Sequence, residues 1–184
     1  MRKVTYGAAC SLDGFIAGPD GDVSWLHFSD DVQAIMADYW KRIDTLVMGR
    51  KTWEVAAAAG SGGDSGGDMM KGITSYVFSR TLKAIQAPGV ELVSSDAGEF
   101  VRTLKQAKGK EICVFGGGEL ARSLFEAGVI DEVGANIYPV LLGSGIPLVR
   151  DAGRIALELL EVRQIAGGCV YAMYAVRKDR DARG

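Results

Sequence analysis

Glu111-Ile112-Cys113-Val114-Phe115-Gly116-Gly117-Gly118-Glu119-Leu120 sets the architecture of this chain. A short apolar run of strand character ends in three glycines, and a helical segment, Glu119–Ala127, begins at once. A strand handed to a helix through glycine is the repeating joint of α/β proteins. Glycines there let backbone amides approach a bound group. The helix N-terminus adds a partial positive charge, so the joint suits a phosphate. A turn selected for close packing alone uses the same residues, and shape by itself leaves both readings open.

Outward from this joint the alternation continues. Upstream lie strand-like Val4–Cys10, a short buried strand Thr45–Met48, a helix over Lys51–Ala58, strands Ser75–Phe78 and Val90–Val93, and a helix near Gly98–Lys108. Val32, Ile35, Met36, Tyr39, Trp40 and Ile43 recur at helical spacing. Ser29 stands as N-cap, with Asp30 and Asp31 in the first turn. Downstream comes a strand at Glu132–Tyr138. Two alternating segments, Ala156–Ile165 and Cys169–Val176, are joined by Gly167-Gly168 as a hairpin. Ser11–Trp25, rich in Asp-Gly and Gly-Pro turns, is expected to be a long mobile loop. The Gly/Ser/Asp-rich stretch Ala59–Gly72 is expected to be a flexible excursion. The expected fold is α/β: a mostly parallel sheet with helices on both faces and an antiparallel C-terminal hairpin. One domain over residues 1–178 and a frayed tail over 179–184 are expected.

Composition narrows the function classes. The chain has 184 residues, 48% hydrophobic and 24% charged, with 21 basic and 23 acidic side chains. That balance offers no bulk attraction to nucleic acid or to an acidic membrane. No apolar run reaches the roughly 18 residues of a membrane span. The start, Met1-Arg2-Lys3-Val4-Thr5, lacks a signal-peptide core, so a cytoplasmic location is expected. Cys10, Cys113 and Cys169 are too scattered for a disulfide framework or a metal site, and read as buried thiols.

Two further strand ends carry anion-suited groups. Met48-Gly49-Arg50-Lys51-Thr52-Trp53-Glu54 sets two cations and a hydroxyl at a helix start, without the spacing of a Walker loop. Ser79-Arg80 follows another strand directly. In open α/β sheets ligands sit at the carboxyl ends of strands. A ligand touching three such ends is long and multiply phosphorylated, as a dinucleotide is.

These motifs, with Ser11-Leu12-Asp13-Gly14-Phe15-Ile16-Ala17, Val77-Phe78-Ser79-Arg80, Asp131-Glu132 and Tyr138-Pro139-Val140-Leu141-Leu142-Gly143-Ser144-Gly145, resemble the dihydrofolate reductase superfamily. The branch they resemble is the reductase domain of the bacterial riboflavin-biosynthesis deaminase–reductase and its stand-alone relatives, over essentially the whole chain. The resemblance implies a dihydrofolate-reductase-like three-layer α/β/α fold, NADPH as cofactor, a homodimer, and no metal. It places Gly49, Arg50, Lys51 and Thr52 at the pyrophosphate and adenosine side. Ser79 and Arg80 fall at the 2′-phosphate, and Gly116, Gly117, Gly118, Glu119 and Leu120 at the pyrophosphate through backbone contacts. The Gly116–Gly117 bond is cis in the family pattern. Ala9 and Ile16 flank the nicotinamide, with the Asp13–Trp25 loop closing over it.

On the substrate side the resemblance offers Asp30 and Asp31 as acids and Asn136 as a residue facing the pocket. Arg150 and Arg154 are candidates to meet a ribose phosphate. His27 matches no family motif and reads as a loop residue. The implied function is reduction of a small heterocycle by hydride transfer from the nicotinamide. The substrate is of the 5-amino-6-(5-phosphoribosylamino)uracil or the dihydrofolate type. The alternative is a non-catalytic or regulatory NADP-binding module of the same fold.

Overall fold

The computed structural model describes residues 1–58 and 72–178. Nearly all of the expected excursion at 59–72, and the tail at 179–184, lie outside the described residues. In chain order the elements are β1 (Val4–Ser11), β2 (Phe15–Ala17), α1 (Asp30–Arg42), β3 (Ile43–Gly49), α2 (Arg50–Ala58), β4 (Thr74–Phe78), β5 (Val90–Val93) and α3 (Ala97–Gln106). They continue with β6 (Glu111–Phe115), α4 (Gly118–Glu126), β7 (Glu132–Tyr138), β8 (Ile146–Pro147), β9 (Leu157–Gln164) and β10 (Val170–Val176).

Eight strands form one sheet in the order β5-β4-β3-β6-β1-β7-β10-β9. The first six are parallel neighbours, and β10 runs antiparallel to both β7 and β9. This is the expected α/β arrangement. Leu46–Met48 of β3 is an unbroken apolar run because both faces of the strand are covered there. On one face, α3 and α4 pack Val101 and Leu124 against Tyr6, Val47 and Val114. On the other, Tyr39 and Trp40 of α1 and Trp53 of α2 pack against Leu46, Met48, Val77 and Cys113.

The predicted α1 forms because Ser29 caps it, its hydroxyl accepting from Val32 N at 3.4 Å, and because Asp30 and Asp31 lie in the favourable first turn. Asp96 caps α3 in the same way, accepting from Glu99 N at 2.9 Å. All three cysteines are free and buried.

The stretch expected to be a long mobile loop is different. Phe15–Ala17 forms β2 and pairs antiparallel with β8, which the sequence did not reveal. Asp13 fixes its entrance: its carboxylate accepts from Gly143 N at 2.8 Å, from Leu142 N, and from the Ser11 hydroxyl at 2.6 Å. Leu148 N also donates to the Gly14 carbonyl at 2.8 Å. The Asp-Gly turn therefore serves as an anchor for the segment after β7. No helix among the described residues is long and apolar enough to cross a membrane.

Candidate functional site

A cavity of about 1170 Å³ runs along the carboxyl ends of the sheet and under α1. Its two halves differ in chemistry. The first lies where β3, β4, β5 and β6 end. Arg50, Lys51, Arg80, Arg122 and Arg150 line it, together with the hydroxyls of Thr52, Ser79, Ser94 and Ser95. The second lies between α1 and the face of β6, β1, β7 and β10, and aromatic and aliphatic side chains line it.

The first half is built around α4. Gly116 and Gly117 take φ of 69° and 88°, which reverses the chain between β6 and α4. Such values favour glycine. No peptide bond among the described residues is cis, so the expectation of a cis Gly116–Gly117 bond is not met. Two successive left-handed glycines make the reversal with trans bonds. Gly117, Gly118, Glu119 and Leu120 line the cavity, while Gly116 lies against Thr52, outside the lining. α1 and α3 have side-chain caps. α4 has none, because its N-cap is Gly117. The first-turn amides of a helix lack partners within it, so α4 directs uncapped donors at the cavity.

Arg50 pairs with Glu54 at 3.1 Å, an exposed contact. Arg80 and Lys51 make no ion pair among the described residues. The Ser79 hydroxyl accepts from Thr81 N and Leu82 N, closing the turn that presents Arg80. Arg122 was not legible in the sequence. Its Nε is enclosed without a hydrogen-bond partner, and Glu126 stays 3.9 Å away. A buried donor left open beside uncapped amides fits an anionic ligand. The donor set as a whole therefore suits a ligand with several phosphate groups. Arg150 lies beside Gly118, at the phosphate-suited half rather than the apolar one, and Arg154 does not line the cavity.

Ala9 and Ile16 both line the cavity. In the second half the lining positions are two apart on β7 (Gly134, Asn136, Tyr138) and β10 (Tyr171, Met173), and Thr5, Gly7 and Ala9 share that face on β1, as one face of a pleated sheet requires. Register sets them in rows. Ala9, Asn136 and Tyr171 are direct neighbours across β1, β7 and β10. Phe115, Gly7, Gly134 and Met173 form the row below. Ile35, Met36, Tyr39 and Trp40 of α1 face them. The Asn136 amide oxygen is enclosed and unpartnered, and the Tyr39 hydroxyl is enclosed beside Cys113 and Thr5. Burial raises the Tyr39 and Tyr171 hydroxyls above the usual phenol range. Burial also pushes the Cys113 thiol up to about 12.

Asp30 and Asp31 are not brought to this cavity. Both are exposed at the start of α1, and the Asp31 carboxylate accepts from Ala166 N at 3.0 Å, tying down the β9–β10 connection. A helix-start acid can serve the helix rather than the pocket, and here geometry assigns that role. His27 is outside the lining as well. Its carbonyl accepts from the Tyr138 hydroxyl at 2.8 Å, and its ring meets the Tyr138 ring edge-on. Of the residues implied at the site, Ala9, Ile16, Gly49, Arg50, Lys51, Thr52, Ser79, Arg80, Gly117, Gly118, Glu119, Leu120 and Asn136 share the one cavity. Tyr39, Trp40 and Tyr171 were missed as site residues, because an apolar stripe at helical or alternating spacing reads as core.

Residues 2–171 match the profile of the RibD C-terminal domain family. The chain is 33% identical over 181 residues to the uncharacterized protein YyaP of Bacillus subtilis (strain 168), covering 95% of each. Among solved structures, a putative riboflavin biosynthesis protein from Shewanella sp. PV-4 aligns with a TM-score of 0.77 at 24% identity, covering 96% of this chain and 99% of that one. Dihydrofolate reductase from Enterococcus faecalis, complexed with NADP(H), aligns with a TM-score of 0.67 at 18% identity, covering 96% and 97%.

Proposed function

The chain belongs to the RibD C-terminal domain family, and from that membership and the cavity's chemistry we propose that it is an NADPH-dependent reductase of a small heterocycle. The observation that carries this reading is one cavity with a cationic, amide-lined half and an apolar half. Arg80 and Ser79 hold the 2′-phosphate. Gly117, Gly118, Glu119 and Leu120 present backbone amides to the pyrophosphate, aided by Arg122 and by Gly49–Thr52. Ala9 and Ile16 flank the nicotinamide. When bound, NADPH supplies the hydride. The chain's own work is to set the two rings in stacking range and to exclude water from the apolar half. Asn136 orients the acceptor, and a single ordered water, held apart from bulk solvent, delivers the accompanying proton to the neighbouring nitrogen or oxygen.

The test is titration of the full chain with NADPH, followed by thermal unfolding. A hundredfold excess over Kd adds about 2.7 kcal/mol, which is a rise of roughly 5–11 °C for a chain of this size. No rise in Tm overturns the cofactor assignment. A second reading, an NADP-binding module without turnover, is favoured by one observation: among the described residues no carboxylate lines the apolar half. Binding without NADPH oxidation on any pterin or pyrimidine would select it. The reading also includes a homodimer in the cytoplasm. The edge strand β9 leaves Leu159, Leu160 and Val162 each more than half exposed, and a second copy would cover them. Sedimentation measures that state.

A further inference from the structure

The apolar half of the cavity is a slot, and its shape and polarity select among heterocycles. Its floor is the backbone of two paired glycines, Gly7 on β1 and Gly134 on β7. A Cβ built on Gly7 meets nothing within 4 Å, so the space above it is open, whereas one on Gly134 would lie 3.1 Å from Met173 Cε, so the Met173 thioether covers that part of the floor. Its roof is α1, with Tyr39 and Trp40, and Phe115 closes one side beside Trp40 at a ring separation of 6.2 Å. Bare peptide at Gly7, flanked by the Met173 thioether and roofed by aromatic rings, accepts something flat. In the next row Asn136 lines the same space, with its amide oxygen enclosed and met by no protein group. A turn of this amide brings the oxygen to a ligand N–H and the NH2 to an adjoining C=O, and gives the enclosed acceptor a partner.

The slot also lacks what an anionic tail requires. All five cations lining the cavity belong to the other half, and among the described residues no Lys or Arg lines the slot. Behind its walls, Arg163 lies 5.1 Å over the Tyr171 ring and is paired with Glu161 at 2.7 Å, and Arg42 lies 5.9 Å over the Tyr39 ring and is paired with Glu111 at 2.8 Å. A phosphate or carboxylate brought against these walls loses hydration and gains no counter-charge.

Building on the reductase reading, we infer that the substrate is an uncharged, planar ring with adjoining N–H and C=O groups, a cyclic amide, bearing neither a phosphoribosyl nor a glutamyl tail. Asn136 is the specificity residue, reading the amide edge, and Gly7 is the floor on which the ring lies.

The experiment uses matched pairs of probes on the full chain in saturating NADP⁺, with affinity read by calorimetry. One pair is 5,6-diaminouracil and 5-amino-6-(5-phosphoribosylamino)uracil. The other is pterin and folic acid. At least one bare ring is expected to bind, at least tenfold tighter than its tailed partner. Asn136→Leu should weaken that ring at least tenfold, and Gly7→Val should abolish its binding. NADP⁺ affinity should change less than threefold in either variant. A tailed partner that binds as tightly as its ring overturns the inference, as does failure of both rings or an Asn136→Leu protein with unchanged affinity. If the first titration finds no NADP⁺ binding, the cofactor reading falls on its own, and the ring titrations on the unliganded chain still decide the substrate class.

Discussion

Replacing Gly116 with alanine tests whether the β6–α4 reversal is built as described. Gly116 has φ of 69°, and a Cβ there would lie 3.1 Å from Thr52 Cγ2 and 3.2 Å from Thr52 Oγ1. Left-handed backbone costs an L-residue about 1–2 kcal/mol. Stiffening the unfolded chain returns about 0.4–1 kcal/mol. Crowding of a packed contact adds about 1–3 kcal/mol. The net expectation is a loss of about 2–3 kcal/mol, or roughly 5–10 °C in Tm for a chain of this length. The two causes separate in a double-mutant cycle. Thr52→Ala removes both crowding atoms and leaves Thr52 Cβ, 3.8 Å away, as the nearest Thr52 atom. In that background Gly116→Ala should cost only about 0.5–1 kcal/mol, giving a coupling of about 1–2 kcal/mol. Denaturant unfolding without cofactor measures all four proteins. An equal cost in both backgrounds refutes the contact, and a cost under about 0.5 kcal/mol in the parent refutes the left-handed conformation as well.

Three other outcomes are expected. Arg80→Ala should weaken NADPH by roughly ten- to a hundredfold, the worth of a charge-assisted hydrogen bond of about 1.5–3 kcal/mol, and should leave NADH nearly unchanged; equal losses for both would show that Arg80 does not meet the 2′-phosphate. The Ser11 hydroxyl, with help from Gly143 N and Leu142 N, holds the Asp13 carboxyl below the usual carboxylate range, so its anchoring is full above the unfolded value of about 3.9 and is lost as pH falls through the lower folded value. Amide protection at Leu142 and Gly143, corrected for intrinsic exchange, should hold down to about pH 4 and then decline, while Asp13→Ala should lower it at every pH; protection unaffected by the substitution would refute the anchor. Burial pushes the Cys10 thiol up to about 11 and Cys113 up to about 12, so almost no thiolate exists near neutral pH, and a thiol reagent should label these two only after denaturation; rapid labelling of the native protein would contradict the packing.

The sequence made the long elements legible and left the short ones dark, for physical reasons. β5, β6 and β7 begin and end where composition places them, because each alternation is bounded by turn residues or glycine. α1 carries both a cap and five members of the apolar stripe, the sixth, Ile43, opening β3. β2 and β8 have three and two residues, too few to show a period, and they pair across roughly 130 positions of chain. The phosphate-suited half was readable because glycine, cation and hydroxyl are chemically conspicuous at strand ends. Arg122 was not, since it lies one turn inside a helix where an arginine ordinarily faces solvent. Asp30 and Asp31 show the converse: a helix start attracts acids for its own dipole, and Asp31 spends its carboxylate on Ala166 N. Tyr39 and Trp40 were visible only as a stripe, because periodicity reports which face turns inward and not whether that face meets side chains or space.

That last ambiguity is where the function resides. Of the α1 stripe, Val32 is fully covered, being 1% exposed, while Ile35, Met36, Tyr39 and Trp40 are only partly buried. The difference comes from the sheet beneath. Had Gly7 been valine or isoleucine, as strands covered on both faces usually are, its side chain would have met the helix and closed the gap. Gly7 instead removes the floor's side chain at a row where the roof is aromatic, while Met173 covers its neighbour Gly134. α1 cannot settle into the space, because Ser29 and the Asp31–Ala166 bond fix its start and its end passes directly into β3. Interiors do not tolerate such a void without cost. A slot held open by elements anchored elsewhere is therefore better explained by an occupant than by imperfect packing, and filling it from the protein side at Gly7 should raise stability while removing the occupant.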